Sequence, residues 1–352
     1  MFQVFLPIVK IHINFLYIFL VTCSTGIISG MIGIGGGFLM IPTLIFLGVP
    51  PSFAIANGSN AILSTSVSGT LNAYYKKILD FTMGYYILSG ALFGALIGTF
   101  AFKKFIKSGL INEITGMLFF ILLTTFGIIM LYESIIEIYK NRKLKIAKKK
   151  RNKHYWIHGL PLKVRMHTSR LYTSIIPPIF FGFITGLISA LLGIGGAFIL
   201  MPLMIYALGM SINTARGTAL FVVIGTMTFT TLFHSIANHN IDLVLILLLL
   251  SGSLIGVQIG TKISNKLKNE EIRFITAIII VLFGLKFGKS LFFAAKQIKI
   301  IRKIEIEHQI NIFSKLIYEF ARNHSIIYGL TAVLIAIFFG SLTSYVARNF
   351  LK

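Results

Sequence analysis

The chain has 352 residues, 56% of them hydrophobic, and a mean hydropathy of +0.86. That balance excludes an ordinary soluble domain, because several apolar runs reach the ~20 residues a helix needs to cross a hydrocarbon core ~30 Å thick. The net charge of +23, from 33 Lys+Arg against 10 Asp+Glu, sits mostly in loops and tails, where it orients the chain by the positive-inside rule; no aromatic-basic module accompanies it, so no nucleic-acid partner is expected.

Lys10 precedes the first apolar run and no small-residue cleavage site follows it, so a removed signal peptide is not expected. His12 to Ile32 reads as a first span. The single cysteine, Cys23, lies inside it and reads as a packing residue, which excludes an intramolecular disulfide. Gly33-Ile34-Gly35-Gly36-Gly37 then breaks the helix, since each Gly costs ~1 kcal/mol relative to Ala. Phe38 to Leu47 is apolar but reaches only ~15 Å as a helix. A span interrupted near the midplane, or a re-entrant hairpin, is expected, and such backbone needs protein or a watery cavity around it. Ala54 to Tyr74 is span-length yet carries Asn57, Ser59, Asn60, Ser64, Ser66, Ser68 and Asn72, a face that turns inward. Leu79 to Phe102 carries Ser89-Gly90-x3-Gly94-x3-Gly98-Thr99, a flat ridge for close helix approach. Ile111 to Tyr132 closes a first repeat over 11–132.

The basic stretch 133–170 reads as a cytoplasmic linker; its His154, His158 and His167 are too loosely spaced to promise a metal site. The second repeat, 171–291, restates the first. Leu171 to Leu192 is a span, Gly193-Ile194-Gly195-Gly196 the break, and Ala197 to Leu208 the short segment. Thr214 to Ile236 is the polar span, and Asp242 to Thr261 carries Ser251-Gly252-x3-Gly256-x3-Gly260-Thr261. Arg273 to Lys289 is the last span of the repeat. In 292–352, Ile306, Ile310, Phe313, Ile317 and Phe320 fall at helical spacing, as in a helix lying on the membrane surface. Ile326 to Val346 is a span outside the repeat. The expected fold is an all-α polytopic membrane protein of two homologous helical repeats with discontinuous glycine-rich helices, plus an extra C-terminal span. If each broken segment counts as one crossing, the halves have four spans and run parallel; if the short run crosses separately, they have five and are inverted.

The doubled G-I-G-G-G/A-F-x-x-x-P element, the tetrapeptides Ala56-Asn57-Gly58-Ser59 and Ala215-Arg216-Gly217-Thr218, and the S-G-x3-G-x3-G-T ridge resemble the TauE/SafE family of sulfite-exporter-like membrane transporters. The resemblance covers roughly Leu16 to Gly288 and implies a small anionic substrate such as sulfite, a sulfonate or a related organic anion. The linker and the extension from Phe292 fall outside it.

The residues themselves suggest where an anion would bind. A broken helix frees backbone amides and presents a partly positive N-terminus, and two such ends facing each other make a midplane site in other repeat transporters. The ends are Gly35, Gly36, Gly37 and Phe38 in the first half and Gly195, Gly196 and Ala197 in the second; the plainer alternative is that these glycines only permit tight packing. Arg216, an Arg in an otherwise uncharged span, suits a sulfonate or carboxylate, or else snorkels to headgroups. Its first-half counterpart is Asn57, and Ser59 and Thr218 follow in the same tetrapeptides. His234 is a candidate for proton relay or substrate contact, or only a helix-end polar residue. Asp80 and Asp242 start their spans as helix caps or as coupling-ion residues. No Walker loop, dinucleotide fingerprint or zinc-protease motif occurs, so no catalytic residue, cofactor or metal is expected. The expected activity is secondary transport or facilitated export, with membrane lipid as surroundings and a homo-oligomer left open. The rival is a non-transporting receptor or scaffold that uses the basic linker to hold a cytoplasmic partner. The Lys/Ile-rich, Ala-poor composition suggests an AT-rich bacterial genome and hence the plasma membrane, the inner one in a Gram-negative cell.

Overall fold

The computed structural model describes residues 3–9, 11–33, 37–143, 161–166, 168–169, 171–264, 266, 269–297 and 312–350. The chain opens with a hairpin of β1 (Gln3–Leu6) and β2 (Ile11–Asn14), paired from Gln3↔Asn14 to Leu6↔Ile11. Asn14 then caps α1 (Phe15–Ile32) by accepting the Leu16 N–H at 3.0 Å. The helix stops at Gly33, which takes φ +70° and donates its N–H to Ser29 O at 2.8 Å. After the break come α2 (Gly37–Phe46), α3 (Pro51–Tyr75), α4 (Phe81–Lys107) and α5 (Ile111–Lys143). α5 runs well past Tyr132 into the basic stretch.

A second hairpin, β3 (Lys163–Met166) with β4 (Leu171–Ser174), introduces the second half. Both hairpins correct the reading of His12 and of Leu171 as the start of a span: short β-branched and aromatic runs at each entry pair as strands, and the helices begin only at Phe15 and Ile176. There follow α6 (Ile176–Leu192), ending on Gly193 at φ +70°, and α7 (Ala197–Pro202), which passes into a π-helical turn at Leu203–Ala207. Then come α8 (Ile212–Asn238), α9 (Leu243–Ser264) and α10 (Asn269–Gln297). The extension supplies the strongly amphipathic α11 (Ile312–Asn323) and the apolar α12 (Ser325–Phe350); Ile306 and Ile310 lie outside the described residues, as do His154, His158 and His167. Among the described residues, six helices are long and apolar enough to cross a membrane. α3 is not one of them despite its 25 residues, because its polar face lowers its hydropathy; Asn57, Ser59, Asn60, Ser64, Ser66 and Ser68 are all buried in protein.

Glycine ridges decide which helices pair. A Cβ at Gly252, Gly256 or Gly260 would strike the carbonyls of Phe19, Cys23 and Ile27, so α9 lies backbone-to-backbone against α1, and the two run parallel. A Cβ at Gly90, Gly94 or Gly98 would strike the carbonyls of Ile179, Phe183 and Leu187, which sets α4 against α6 in the same way. Each ridge thus packs against the broken span of the other half. At the centre α3 and α8 cross antiparallel: Gly69 faces Leu220 and Gly217 faces Ala73. α5 and α10 are antiparallel as well, Gly127 facing Val281 and Gly288 facing Phe120.

The hairpins cross over too. Asp242, fully buried, accepts the N–H groups of Ile8 (2.9 Å) and Val9 (3.4 Å) on Oδ2, and those of Val244 (3.0 Å) and Leu245 (3.3 Å) on Oδ1. Asp80 accepts from Met83 N at 3.1 Å and, on Oδ2, from Ser169 N at 2.9 Å and Ser169 Oγ at 2.5 Å. Both carboxylates therefore cap a helix and anchor the turn of the other half's hairpin.

Candidate functional site

Arg216 sits on the second turn of α8, where the N-cap Ser211 accepts the Thr214 N–H and starts the helix. Its guanidinium lies over Gly33, the left-handed stop of α1: a Cβ there would come within 2.9 Å of Arg216 Cδ and Nε. Gly33 is required twice, once by its φ and once by this contact. The Nε is buried and has no hydrogen-bond partner. The corresponding contact in the other half has no charged group, for a Cβ at Gly193 would meet the side chains of Ile41 and Ile55 and the Ile55 carbonyl. The two helix stops, Gly33 and Gly193, are alike in φ and unlike in what covers them.

Arg216 forms part of the wall between two cavities. The larger, about 640 Å³, is bounded by the ends of α1, α3, α9 and α12 and the start of α8. Its lining includes Gly30, Gly33, Asn72, Lys76, Asn213, Gln258, Thr261, Lys262 and Arg348. Among its described lining residues four are cations and none is acidic. The smaller, about 350 Å³, is apolar, lined by Met31, Ile32, Phe126, Phe198 and Met201, and meets Arg273 and the hydrogen-bonded pair Tyr206–Glu133 (2.7 Å). The π-helical turn forms one wall. Elsewhere among the described residues, polar groups lie buried without partners: both amide atoms of Asn60, and the hydroxyls of Ser64, Ser66, Thr70, Ser29, Ser189 and Thr231.

The other residues singled out from sequence are scattered. Asn57 is fully buried and knits backbone: its Nδ2 donates to Phe53 O (2.8 Å) and Asn240 O (3.0 Å), and its Oδ1 accepts from Asp242 N (2.7 Å). Ser59 donates to Ile55 O at 2.6 Å within its own helix. Thr218 accepts from Asp80 N at 3.2 Å. His234 is fully buried, edge-on to Phe102, with Nδ1 3.0 Å from Asn238 Nδ2 and Nε2 unpartnered. Gly195, at φ +77°, packs against Val223 and Ile62; Gly196 caps α7 at φ +72° and Ala197 opens it. α7 is only six residues long, too short for much of a helix dipole. Gly37 and Phe38 open α2; Gly35 and Gly36 lie outside the described residues. Of the sequence candidates, then, Arg216 lines the cationic vestibule, and none of Asn57, Ser59, Gly195, Gly196, Ala197, Thr218 or His234 does. Sequence reasoning missed Lys76, Lys262, Gln258 and Arg348 as companions of Arg216. Their only signal was a position at the end of a span, shared with ordinary interfacial cations.

Comparison with known proteins accords with this architecture. The family model "Sulfite exporter TauE/SafE" matches residues 18–287. A second model, of the transmembrane protein family Alph_Pro_TM, matches residues 297–349. The "Probable membrane transporter protein YunE" of Bacillus subtilis is 25% identical over 283 residues, which is 77% of this chain and 96% of the relative. "Probable membrane transporter protein YjnA" of the same organism is 27% identical over 274 residues, 76% of this chain and 98% of the relative. "Sulfite exporter TauE/SafE family protein 3" of Arabidopsis thaliana is 29% identical over 106 residues, covering 29% of this chain and 22% of the relative. No solved structure matches.

Proposed function

Because the chain belongs to the TauE/SafE sulfite-exporter family of membrane transporters, we propose that it moves a small oxyanion, sulfite or an organosulfonate, across a bacterial plasma membrane. The carrying observation is the vestibule: a cavity whose described lining residues include Lys76, Lys262 and Arg348 and no acid, with Arg216 at its inner wall. A guanidinium with a buried, unpartnered Nε has donors to spare for a planar or tetrahedral oxyanion. The antiparallel crossing of α3 with α8 and of α5 with α10 favours inverted repeats, in which the sequence-equivalent helices swap ends between outward- and inward-facing states. In this reading the vestibule is the inward-facing opening, since it lies at the end where α5 enters the basic stretch that the positive-inside rule assigns to the cytoplasm. The unpartnered amide and hydroxyls around Asn60 and Ser64 then mark the closed part of the path, where a hydrated anion would find partners once the halves rock.

Reconstitution in liposomes tests this. We expect sulfite-dependent flux above protein-free vesicles, reduced at least about tenfold by Arg216→Gln, a barrier change of ~1.4 kcal/mol, with thermal stability retained. Absence of anion-dependent flux would favour the receptor or scaffold reading. Flux indifferent to Arg216→Gln would move the site elsewhere.

A further inference from the structure

α12 lies beyond residue 287, where the transporter family model ends, in a segment that a different transmembrane family model matches. An appended span has no need to touch the substrate path; it could lie anywhere on the lipid-facing rim. Instead it packs along the two central polar helices. Its backbone passes close enough that a Cβ at Gly340 would strike the carbonyl of Ser64. Ser235 Oγ donates to Ser325 O at 2.6 Å, the Leu243 N–H donates to Tyr328 OH at 3.3 Å, and Ser344 Oγ pairs with Asn72 Oδ1 at 3.3 Å. These ties, at Ser325, Tyr328 and Ser344, hold most of the helix's length against α3, α8 and α9. At its end, Ala347 and Arg348 line the vestibule, and the guanidinium of Arg348 stacks 4.5 Å from the ring centroid of Tyr75 at the end of α3.

We propose that α12 is a working wall of the anion path, in which Arg348 at the mouth draws oxyanions toward Arg216 and Ala347 helps to set the width. This inference rests on the transport reading above. The chemistry supports it in three ways. Stacking on Tyr75 holds the cation in place without neutralising it, as an acidic partner would. Among the described lining residues no acid competes with the substrate. A cation at the mouth of a low-dielectric funnel raises the local concentration of the opposite charge, an effect that salt screens within a Debye length of ~10 Å at 0.1 M.

The experiment uses the full chain in liposomes, with sulfite as a small anion and butanesulfonate as a bulkier anionic sulfonate, at low and high salt. Arg348→Gln should raise KM for sulfite about three- to tenfold at low salt with kcat unchanged, and the difference should shrink in 0.5 M salt, as expected for screened steering. Arg348→Lys, which keeps the charge, should recover most of the loss. Ala347→Trp should lower butanesulfonate flux several-fold more than sulfite flux. If flux falls at least about tenfold in Arg216→Gln while Arg348→Gln keeps the wild-type KM at low salt and Ala347→Trp slows both anions equally or not at all, α12 is only a scaffold and the proposal falls with the transport reading intact. If the wild-type chain carries neither anion, both fall together.

Discussion

Positions 57 and 216 are equivalent in the repeat, yet their surroundings give them opposite work. Asn57 spends its whole side chain on backbone groups of Phe53, Asn240 and Asp242. Arg216 leaves a buried Nε unpartnered. Asn57→Leu should therefore lower stability by about 1–3 kcal/mol, the usual effect of orphaning buried polar partners, read as a drop in the thermal unfolding midpoint in nanodiscs. Arg216→Gln should leave that midpoint nearly unchanged while removing flux. If Arg216→Gln proves the more destabilising of the two, Arg216 is structural. Gly33→Ala joins the two effects: a Cβ in the left-handed region costs about 1–2 kcal/mol and pushes on the guanidinium. We expect it to reproduce the flux loss of Arg216→Gln with a modest fall in stability; near-normal flux would separate the broken helix from the site.

Among the helices, the ridges make the sharpest demand on sequence. Gly94 and Gly256 face backbone carbonyls of α6 and α1, which cannot move aside, whereas Gly69 faces only the tip of the Leu220 side chain. Gly94→Val and Gly256→Val should each be destabilising by at least the ~1–3 kcal/mol of an overpacked contact, and Gly69→Ala should be tolerated. Equal effects at the three positions, measured by thermal unfolding, would mean the ridges do not set helix pairing. The ridges, the breaks and the polar spans were all legible in the sequence, because spacing four apart, clustered Gly and inward hydroxyls are local signals. Their partners were not. Nothing in Ser89-Gly90 or Ser251-Gly252 says that the ridge serves the other half's broken span, and nothing near Gly33 announces Arg216, 183 positions later by their numbers in the chain. A repeat reveals which elements are equivalent, but contacts between them depend on the operation relating the halves, and that is a property of the assembled fold. The hairpins escaped notice for a different reason: four-residue strands beside long apolar runs are absorbed into the helical reading.

At the scale of the whole molecule, the vestibule and the small pocket near Ile8, His239, Asn240 and Arg322 lie at opposite ends of α9 and α12. With Cys23 replaced by Ser, Lys76→Cys and Lys262→Cys should react with a membrane-impermeant thiol reagent only from the cytoplasmic side, and Arg322→Cys only from the other. Labelling of all three from one side would contradict the transmembrane arrangement. The crossed hairpins carry a further consequence, one for synthesis. The turn at Ile8 and Val9 finds its carboxylate at Asp242, 234 and 233 positions downstream. At about 5–20 residues per second of elongation, the first segment to leave the ribosome waits on the order of ten seconds or longer for its anchor to exist. Each half's hairpin takes its anchoring carboxylate from the other half. Co-expressed as two polypeptides, each should be rescued from proteolysis by the other, so the assembly step that completes the transporter is in effect an intramolecular dimerisation.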